Sequence, residues 1–374
     1  MKIGILGHGV VGSGVSKIIE SNNYEDIQIC SILVKNESEI LDDRFTLNID
    51  DILNNKEIDT IIECMGGDEP AHSFVRKALE NGKNVISANK KMLANHLDLF
   101  DIANKNNVKL LIEASSGGGI PWLINLRRIK RSDEISEIKG IINGTTNYLL
   151  SRLFNEDIDF DEVLKDAQKL GYAEKDPTDD IKGYDVKYKL CLSSYEAFDL
   201  LIDHNSIPTY GIDTINKQDI NYAKENGYVI KLIANASYKG NKLQAIVMPR
   251  FIKKDDIFAS VNSNFNIVMS NSNYLGKAYF IGQGAGSLPT GQAIVQDVLD
   301  LKDNNYLNEK RDIRRIDNDI SIESKYYIRG YIDKLGKYID KKINDNTIIT
   351  KKCLYSDIKD LIDENMFIGE IDDD

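Results

Sequence analysis

Over the first 125 residues the apolar positions fall into short β-rich runs separated by stretches with helical spacing. The run Lys2–Leu6 stops at Gly7, and Val10, Val11, Val15, Ile18 and Ile19 then recur with the period of a helix. The chain therefore opens as strand, turn and helix. Similar strand-like runs stand at 27–34, 60–64, 85–87 and 109–113, and residues 72–81 carry a helical pattern between two of them. Strands and helices in alternation predict an α/β fold built on a parallel sheet, because the crossover helices must cover both faces.

After Pro121 the pattern changes. Leu123, Leu126 and Ile129 mark a helix, 138–142 is an apolar run, and helical spacing dominates from there to about residue 203. The segments YVIKLIANASY, KLQAIVMPRFI, NFNIVMS and AYFIGQ then follow one another with turn residues between them, which predicts a mainly antiparallel sheet in an α+β second domain. From Thr290 a helix with Ala293, Ile294, Val298 and Leu299 at helical spacing is expected to return to the first domain. The boundaries read as 1–125 (completed by 285–318), 126–284, and a small βα tail over 319–374.

A chain of 374 residues suits two or three such domains, at roughly 100 to 200 residues each. The net charge of -12 argues against nucleic acid or an anionic membrane as the main partner, so anionic ligands must be held by local groups. Cys30, Cys64, Cys191 and Cys353 form no C-x-x-C pair, which points to neither a disulfide framework nor a zinc site. The opening MKIGILGHG is already strand and turn, without a charged leader, and no apolar run approaches ~20 residues. A cytoplasmic protein is expected.

Gly7-His8-Gly9-Val10-Val11-Gly12 is a G-x-G-x-x-G that follows one strand and opens one helix. In that context Gly7 permits the tight turn, Gly9 lets backbone approach a pyrophosphate, and Gly12 packs helix on strand, the signature of a Rossmann-type dinucleotide site. The second strand ends Leu33-Val34-Lys35-Asn36, with no carboxylate before Glu37. Lys35 can meet a 2′-phosphate there, which favours NADPH over NADH, or can be a solvated loop lysine. IECMGG and VISANKK end two further strands in small residues, and ligands gather at such carboxyl ends. That places Met65, Gly66, Ser87, Ala88 and Lys90 in the nicotinamide region, with Lys90 and Lys91 both open to being ordinary exposed lysines. A second glycine loop, Gly282-Gln283-Gly284-Ala285-Gly286, also opens a helix and can bring Gly284 towards the cofactor.

Two polar clusters belong to the second domain. Asn143-Gly144-Thr145-Thr146-Asn147 can bind a small polar substrate through Asn143 and Thr145, or can simply cap a helix. In GYAEKDPTDDIKGYDVKYKL one helix ends at Gly171 and another begins near Gly183. Asp185 and Lys189, four apart, share a helix face, and Glu174 on the connecting loop can converge with them. A lysine held between carboxylates at a cleft can act as a proton donor. By spacing alone the pair reads equally as a surface salt bridge contributing ~0.3 to 0.5 kcal/mol.

GHGVVGSGV, ECMGG, SANKKMLA, EASSGGGIP, GIINGTTNYLL, GYAEKDPTDDIKGYDVKYKL and GQGAGSLPTGQAIVQDV, in this order over about residues 1–310, together resemble the homoserine dehydrogenase family. The resemblance implies reversible NAD(P)H-dependent reduction of aspartate 4-semialdehyde to homoserine, in threonine and methionine biosynthesis, by a homodimer or homotetramer. It makes Lys189 the proton donor, Lys90 a second lysine at the reacting centre, and Glu174 and Asp185 the ligands of the amino acid substrate. Hydride arriving at an aldehyde builds negative charge on oxygen, which a positioned lysine can stabilise and protonate. The resemblance also implies a site for a monovalent cation such as Na+, made mostly of main-chain oxygens of Glu113, Ser116, Gly118 and Ile120. Ser116 stands where the family often has Val, a change that a backbone ligand tolerates.

The tail departs from the family pattern. Residues 326–371 read as strand, helix (333–343), strand, helix (355–364) and strand, one strand short of a full ACT fold. A curtailed ACT-like tail without threonine feedback is expected, on a monofunctional chain with no kinase-like segment ahead of residue 1. The competing readings are a cofactor-binding sensor without turnover, against which intact Glu174, Asp185 and Lys189 speak, and another amino-aldehyde reductase.

Overall fold

The computed structural model describes residues 1–306 and 313–372, so the 307–312 part of the expected 285–318 return lies outside the described residues. The chain divides into two compact units: Met1–Ser132 with Tyr195–Leu201 and Gly282–Ile313, and Asp133–Ser194 with Ile202–Ile281 and Arg314–Asp374. The first division falls several residues after the expected 125.

The first unit holds a six-stranded parallel sheet. In spatial order its strands are Phe45–Thr46, Gln28–Leu33, Lys2–Leu6, Thr60–Glu63, Asn84–Ser87 and Leu110–Leu111. The order turns outward in both directions from Lys2–Leu6, so the strand that carries the glycine turn sits at the switch point where doubly wound sheets bind ligands. Phe45–Thr46 was not legible, being two residues long at the sheet edge. The expected strand over 109–113 is shortened because the chain turns at Glu113–Ser115 into a 3-10 helix. Helix Ser287–Lys302 does join this unit: Ala293, Ile294, Val295 and Val298 enter one core with Ile3, Ile5, Val15, Ile62 and Ile86.

The second unit is a mixed sheet with helices. Strands Gly276–Gln283, Phe265–Ser272, Ile135–Ile141, Tyr228–Lys239 and Lys242–Lys253 are neighbours in that order, and the pairs from Phe265–Ser272 to Lys242–Lys253 run antiparallel. The tail continues this sheet. Phe367–Ile371 pairs in parallel with Lys242–Lys253, then Glu323–Arg329, Thr347–Thr350 and Ile339–Asn344 follow antiparallel to one another.

This corrects the reading of the tail. Residues 333–343, expected as a helix, form a 3-10 helix at Asp333–Tyr338 and then the strand Ile339–Asn344. Asn344-Asp345-Asn346 supplies turn residues, and a strand with no buried residue needs little apolar content to pair. The expected helix over 355–364 is one turn, Tyr355–Ile358, followed by a 3-10 turn. The tail therefore has four strands of four or more residues, and the inference against threonine feedback loses its premise. Among the described residues no helix is long and apolar enough to cross a membrane.

A buried ion cluster fastens the tail to the second unit. The Asp219 carboxylate, fully buried, accepts from Arg329 Nε at 2.8 Å and Nη2 at 2.9 Å, from Tyr327 Oη at 3.0 Å and from the Asn216 N–H at 2.9 Å. Arg329 also donates to the Thr214 carbonyl at 2.6 Å. Removing the cation from a buried pair leaves an uncompensated charge, which costs ~3 to 5 kcal/mol. Arg329→Ala should lower unfolding stability by about that amount in urea titrations, and a loss below ~1 kcal/mol would show that the cluster does not fasten the tail.

Candidate active site

In the first unit the glycine turn has the geometry its spacing requires. Gly7 has φ +93°, and a Cβ there would lie 3.0 Å from the Cys64 carbonyl oxygen. A Cβ on Gly12 would come within 2.1 Å of the Gly7 oxygen. Gly9 caps helix Val10–Asn22, and a Cβ there would meet nothing within 4 Å, so the space beside this helix start is open. Val10 is 70% exposed beside it, whereas Val11 is half-buried. Lys35 is exposed two residues beyond the end of Gln28–Leu33.

A buried network lies behind the next two strand ends. The Glu63 carboxylate accepts from Ser87 Oγ at 2.6 Å, from the Met65 N–H at 2.8 Å and from Asn89 Nδ2 at 3.4 Å. Burial pushes Glu63 up from the usual carboxylate range, and these donors oppose the shift. Asn89 Nδ2 also donates to the Gly67 carbonyl at 2.7 Å, while Asn89 Oδ1 caps helix Lys90–Asn95 by accepting from Met92 N–H at 3.2 Å. The network thus fixes the Met65-Gly66 turn, Ser87, Ala88 and the start of the helix on which Lys90 is the half-buried first residue. Glu63 and Asn89 were missed in the sequence. Their only signal was a polar residue within ECMGG and SANKK, which were read for their small residues.

The loop after Leu110–Leu111 is held as tightly. Glu113, 5% exposed, accepts at its carboxylate from Leu123 N–H at 3.1 Å and Ile124 N–H at 2.7 Å, and its own N–H donates to Asp297 Oδ2 at 3.0 Å. Burial, then the charge of Asp297, pushes Glu113 up to about 8. Ser116 is buried, Gly118 has φ +59°, and a Cβ on Gly118 would lie 2.3 Å from the Gly284 oxygen. Gly284 therefore packs on this loop. The Ile120 carbonyl accepts from Trp122 N–H at 2.7 Å. Among the described residues no group of three or more His, Cys, Asp or Glu could hold a metal ion, so a cation here depends on main-chain oxygens.

In the second unit Asn143 ends the approach from Ile135–Ile141 and caps helix Gly144–Asn155 through Thr146 N–H at 2.8 Å. Its Nδ2 donates to Asp185 Oδ2 at 2.9 Å and to Asp180 Oδ1 at 2.7 Å. Lys189 Nζ donates to the same Asp185 oxygen at 2.7 Å and to the Ile142 carbonyl at 2.8 Å. Asp185 is 5% and Lys189 8% exposed, so the pair is not the surface salt bridge that its spacing allowed. Asn143 both caps and joins the cluster. Asp180, missed in the sequence, is half-buried, and burial, then Asp185, pushes it up. Gly171 has φ +76° at the helix end, and Thr145 Oγ1 donates to the next residue's carbonyl, Tyr172 O, at 2.6 Å. That bond ties the 171–176 loop to the Asn143 cap. Glu174 itself is exposed on the loop, its carbonyl accepting from Gln168 Nε2 at 3.0 Å, and the cluster's bonds run through Asp180 instead.

Known proteins match both units. The homoserine dehydrogenase NAD binding domain matches residues 7–113, and the homoserine dehydrogenase family proper matches 121–299. A homoserine dehydrogenase of Lactococcus lactis is 37% identical, the alignment covering 80% of this chain and 73% of that protein. One from Bacillus subtilis is 34% identical over 80% and 72%. The crystal structure of a homoserine dehydrogenase from Thiobacillus denitrificans has a TM-score of 0.88 at 29% identity, covering 100% of this chain and 98% of that one. With family matches over residues 7–113 and 121–299 and relatives above 30% identity over 80% of the chain, the chain belongs to the homoserine dehydrogenase family and is an oxidoreductase with an NAD-binding domain.

Proposed function

We propose that the protein reduces L-aspartate 4-semialdehyde to L-homoserine with NADPH, and that Lys189 gives the proton to the aldehyde oxygen. The observation that carries this is the burial of Lys189, whose ammonium group donates to the Asp185 carboxylate and to the Ile142 carbonyl. Bound NADPH supplies the hydride. As the aldehyde carbon takes it, the C=O electron pair moves to oxygen, which takes a proton from Nζ. Asp185 keeps the ammonium aimed, and Asn143 keeps Asp185 aimed. Exposed Glu174, with Gly171 and Thr145 shaping its loop, is available to the substrate's own ammonium group. Lys90, at the start of its helix beside Ser87, is the second lysine at the reacting centre.

Gly7 to Gly12, Met65, Gly66, Ser87, Ala88 and Gly284 hold the dinucleotide, the open helix start at Gly9 suiting a pyrophosphate. Exposed Lys35 suits a 2′-phosphate, so NADPH is the preferred form. Hard main-chain oxygens at Glu113, Ser116, Gly118 and Ile120 suit a monovalent cation such as Na+, which would brace the loop without entering the chemistry. The working protein is a cytoplasmic homodimer or homotetramer.

A positioned general acid contributes ~10² to 10⁴ in rate, so Lys189→Ala should lower kcat by at least ~100-fold while cofactor fluorescence still reports NADPH binding. Near-normal kcat would remove Lys189 from the chemistry. Glu174→Leu should mainly raise KM for the semialdehyde, as expected when a contact shared by ground and transition states is lost. For the cofactor, kcat/KM should be higher with NADPH than NADH, and Lys35→Asp should flatten or reverse that ratio. Equal use of both by the unmodified enzyme would overturn the role of Lys35.

A further inference from the structure

Asn266 is fully buried, yet neither its Nδ2 nor its Oδ1 has a hydrogen-bond partner. A buried amide left unpaired costs ~1 to 3 kcal/mol, so a protein keeps one only where something outside the chain completes it. Its position says what lies beside it. One step beyond the last paired residues of the ladder, Ile267 and Ile141, Asn266 falls opposite Ile142. Residues directly opposite in an antiparallel pair share a face of the sheet. The Ile142 carbonyl accepts from Lys189 Nζ. Asn266 is therefore a neighbour of the proton donor.

Two further fully buried groups, Ser270 Oγ and Ser194 Oγ, are also unpaired. Ser270 lies four residues along the same strand and so on the same face as Asn266. Ser194 lies on the Lys189 helix. That helix begins where a Cβ on Gly183 would be 3.4 Å from Val247 Cγ1, and six residues later Lys189 reaches Ile142. A rise of ~1.5 Å per residue carries the helix ~9 Å, which matches two strand spacings of ~4.8 Å, from the Val247 strand to the Ile142 strand. Five residues further along the helix, a rise of ~7.5 Å carries Ser194 towards the next strand, Phe265–Ser272, which holds Asn266 and Ser270.

We propose that Asn266, Ser194 and Ser270 hold ordered water behind Lys189, and that this water returns the proton which Lys189 gives up in each turnover. The inference rests on Lys189 as proton donor. After Nζ–H breaks and the product O–H forms, the neutral amine takes a proton from the adjacent water. That water is restored by its neighbour in turn, the last proton coming from solvent. Buried waters need about three polar partners each, and four unpaired atoms on three residues supply them. Asn266 is thus a positioning residue for water, and it leaves the first hydride transfer unaffected.

The test separates the two claims by comparing single-turnover and steady-state rates. In Asn266→Leu, mixing enzyme and NADPH with semialdehyde should give a first turnover at the parent rate, followed by a steady state at least ~5-fold slower. The solvent deuterium isotope effect on kcat should rise, and imidazole buffer should restore part of the rate. Ser194→Ala should show the same pattern more weakly, which guards against misfolding of the Asn266 variant. Steady-state rates within twofold of the parent in both variants would overturn the proposal. So would a first turnover slowed as much as kcat, since Asn266 would then act on Lys189 itself. A crystal structure with no water on Asn266 or Ser194 would overturn it independently. Failure of Lys189 as donor appears elsewhere, as an unchanged single-turnover rate in Lys189→Ala.

Discussion

The second unit is arranged around an ammonium group taken out of water. Burying an ion costs several kcal/mol unless geometry and hydrogen bonds recover it. Here recovery draws three groups from two pieces of chain: the Ile142 carbonyl just past the end of a strand, the adjacent Asn143 that fixes the Asp185 oxygen, and Asp185 itself, one helical turn before Lys189. Asn143 can do this because it is also a helix cap, its oxygen turned to Thr146 N–H and its nitrogen left for the carboxylates. The Asn-Gly-Thr-Thr stretch and the Asp-x-x-x-Lys stretch are therefore one device, although about forty residues separate them in the chain.

The first unit solves the opposite problem, since its ligand brings the charge. Its glycine turn contributes backbone donors and no formal charge, and the buried Glu63 network holds the neighbouring turns from behind. Burial pushes Glu63 up from the usual carboxylate range, and the Ser87, Met65 and Asn89 donors that it gathers oppose that shift.

Much of this could be read from the sequence because the relevant signals are local. Gly7, Gly9 and Gly12 lie within one short strand-to-helix turn, and Asp185 and Lys189 are four apart on one helix, so spacing alone fixes their relation. What spacing left open was burial, and the exposures of Asp185 and Lys189 decided between a surface pair and a buried one. Glu63, Asp180 and Asn266 were not legible because their roles come from residues distant in sequence: Glu63 from Ser87 and Asn89, Asp180 from Asn143, Asn266 from the register with Ile142. The tail failed for another reason. Residues 339–344 alternate around charged side chains, and a strand so polar carries too weak an apolar period to distinguish it from a helix.

The place of Phe367–Ile371 bears on how the protein is made. This strand lies inside the sheet, between Lys242–Lys253 and Glu323–Arg329, and its pairing with the former joins residues more than a hundred positions apart. On a ribosome, the 242–253 edge emerges long before the strand that covers it. Until synthesis passes residue 371, that edge presents unpaired N–H and C=O groups, a template for any other nascent strand nearby. The interval between emergence and closure is the period when this chain most needs a chaperone.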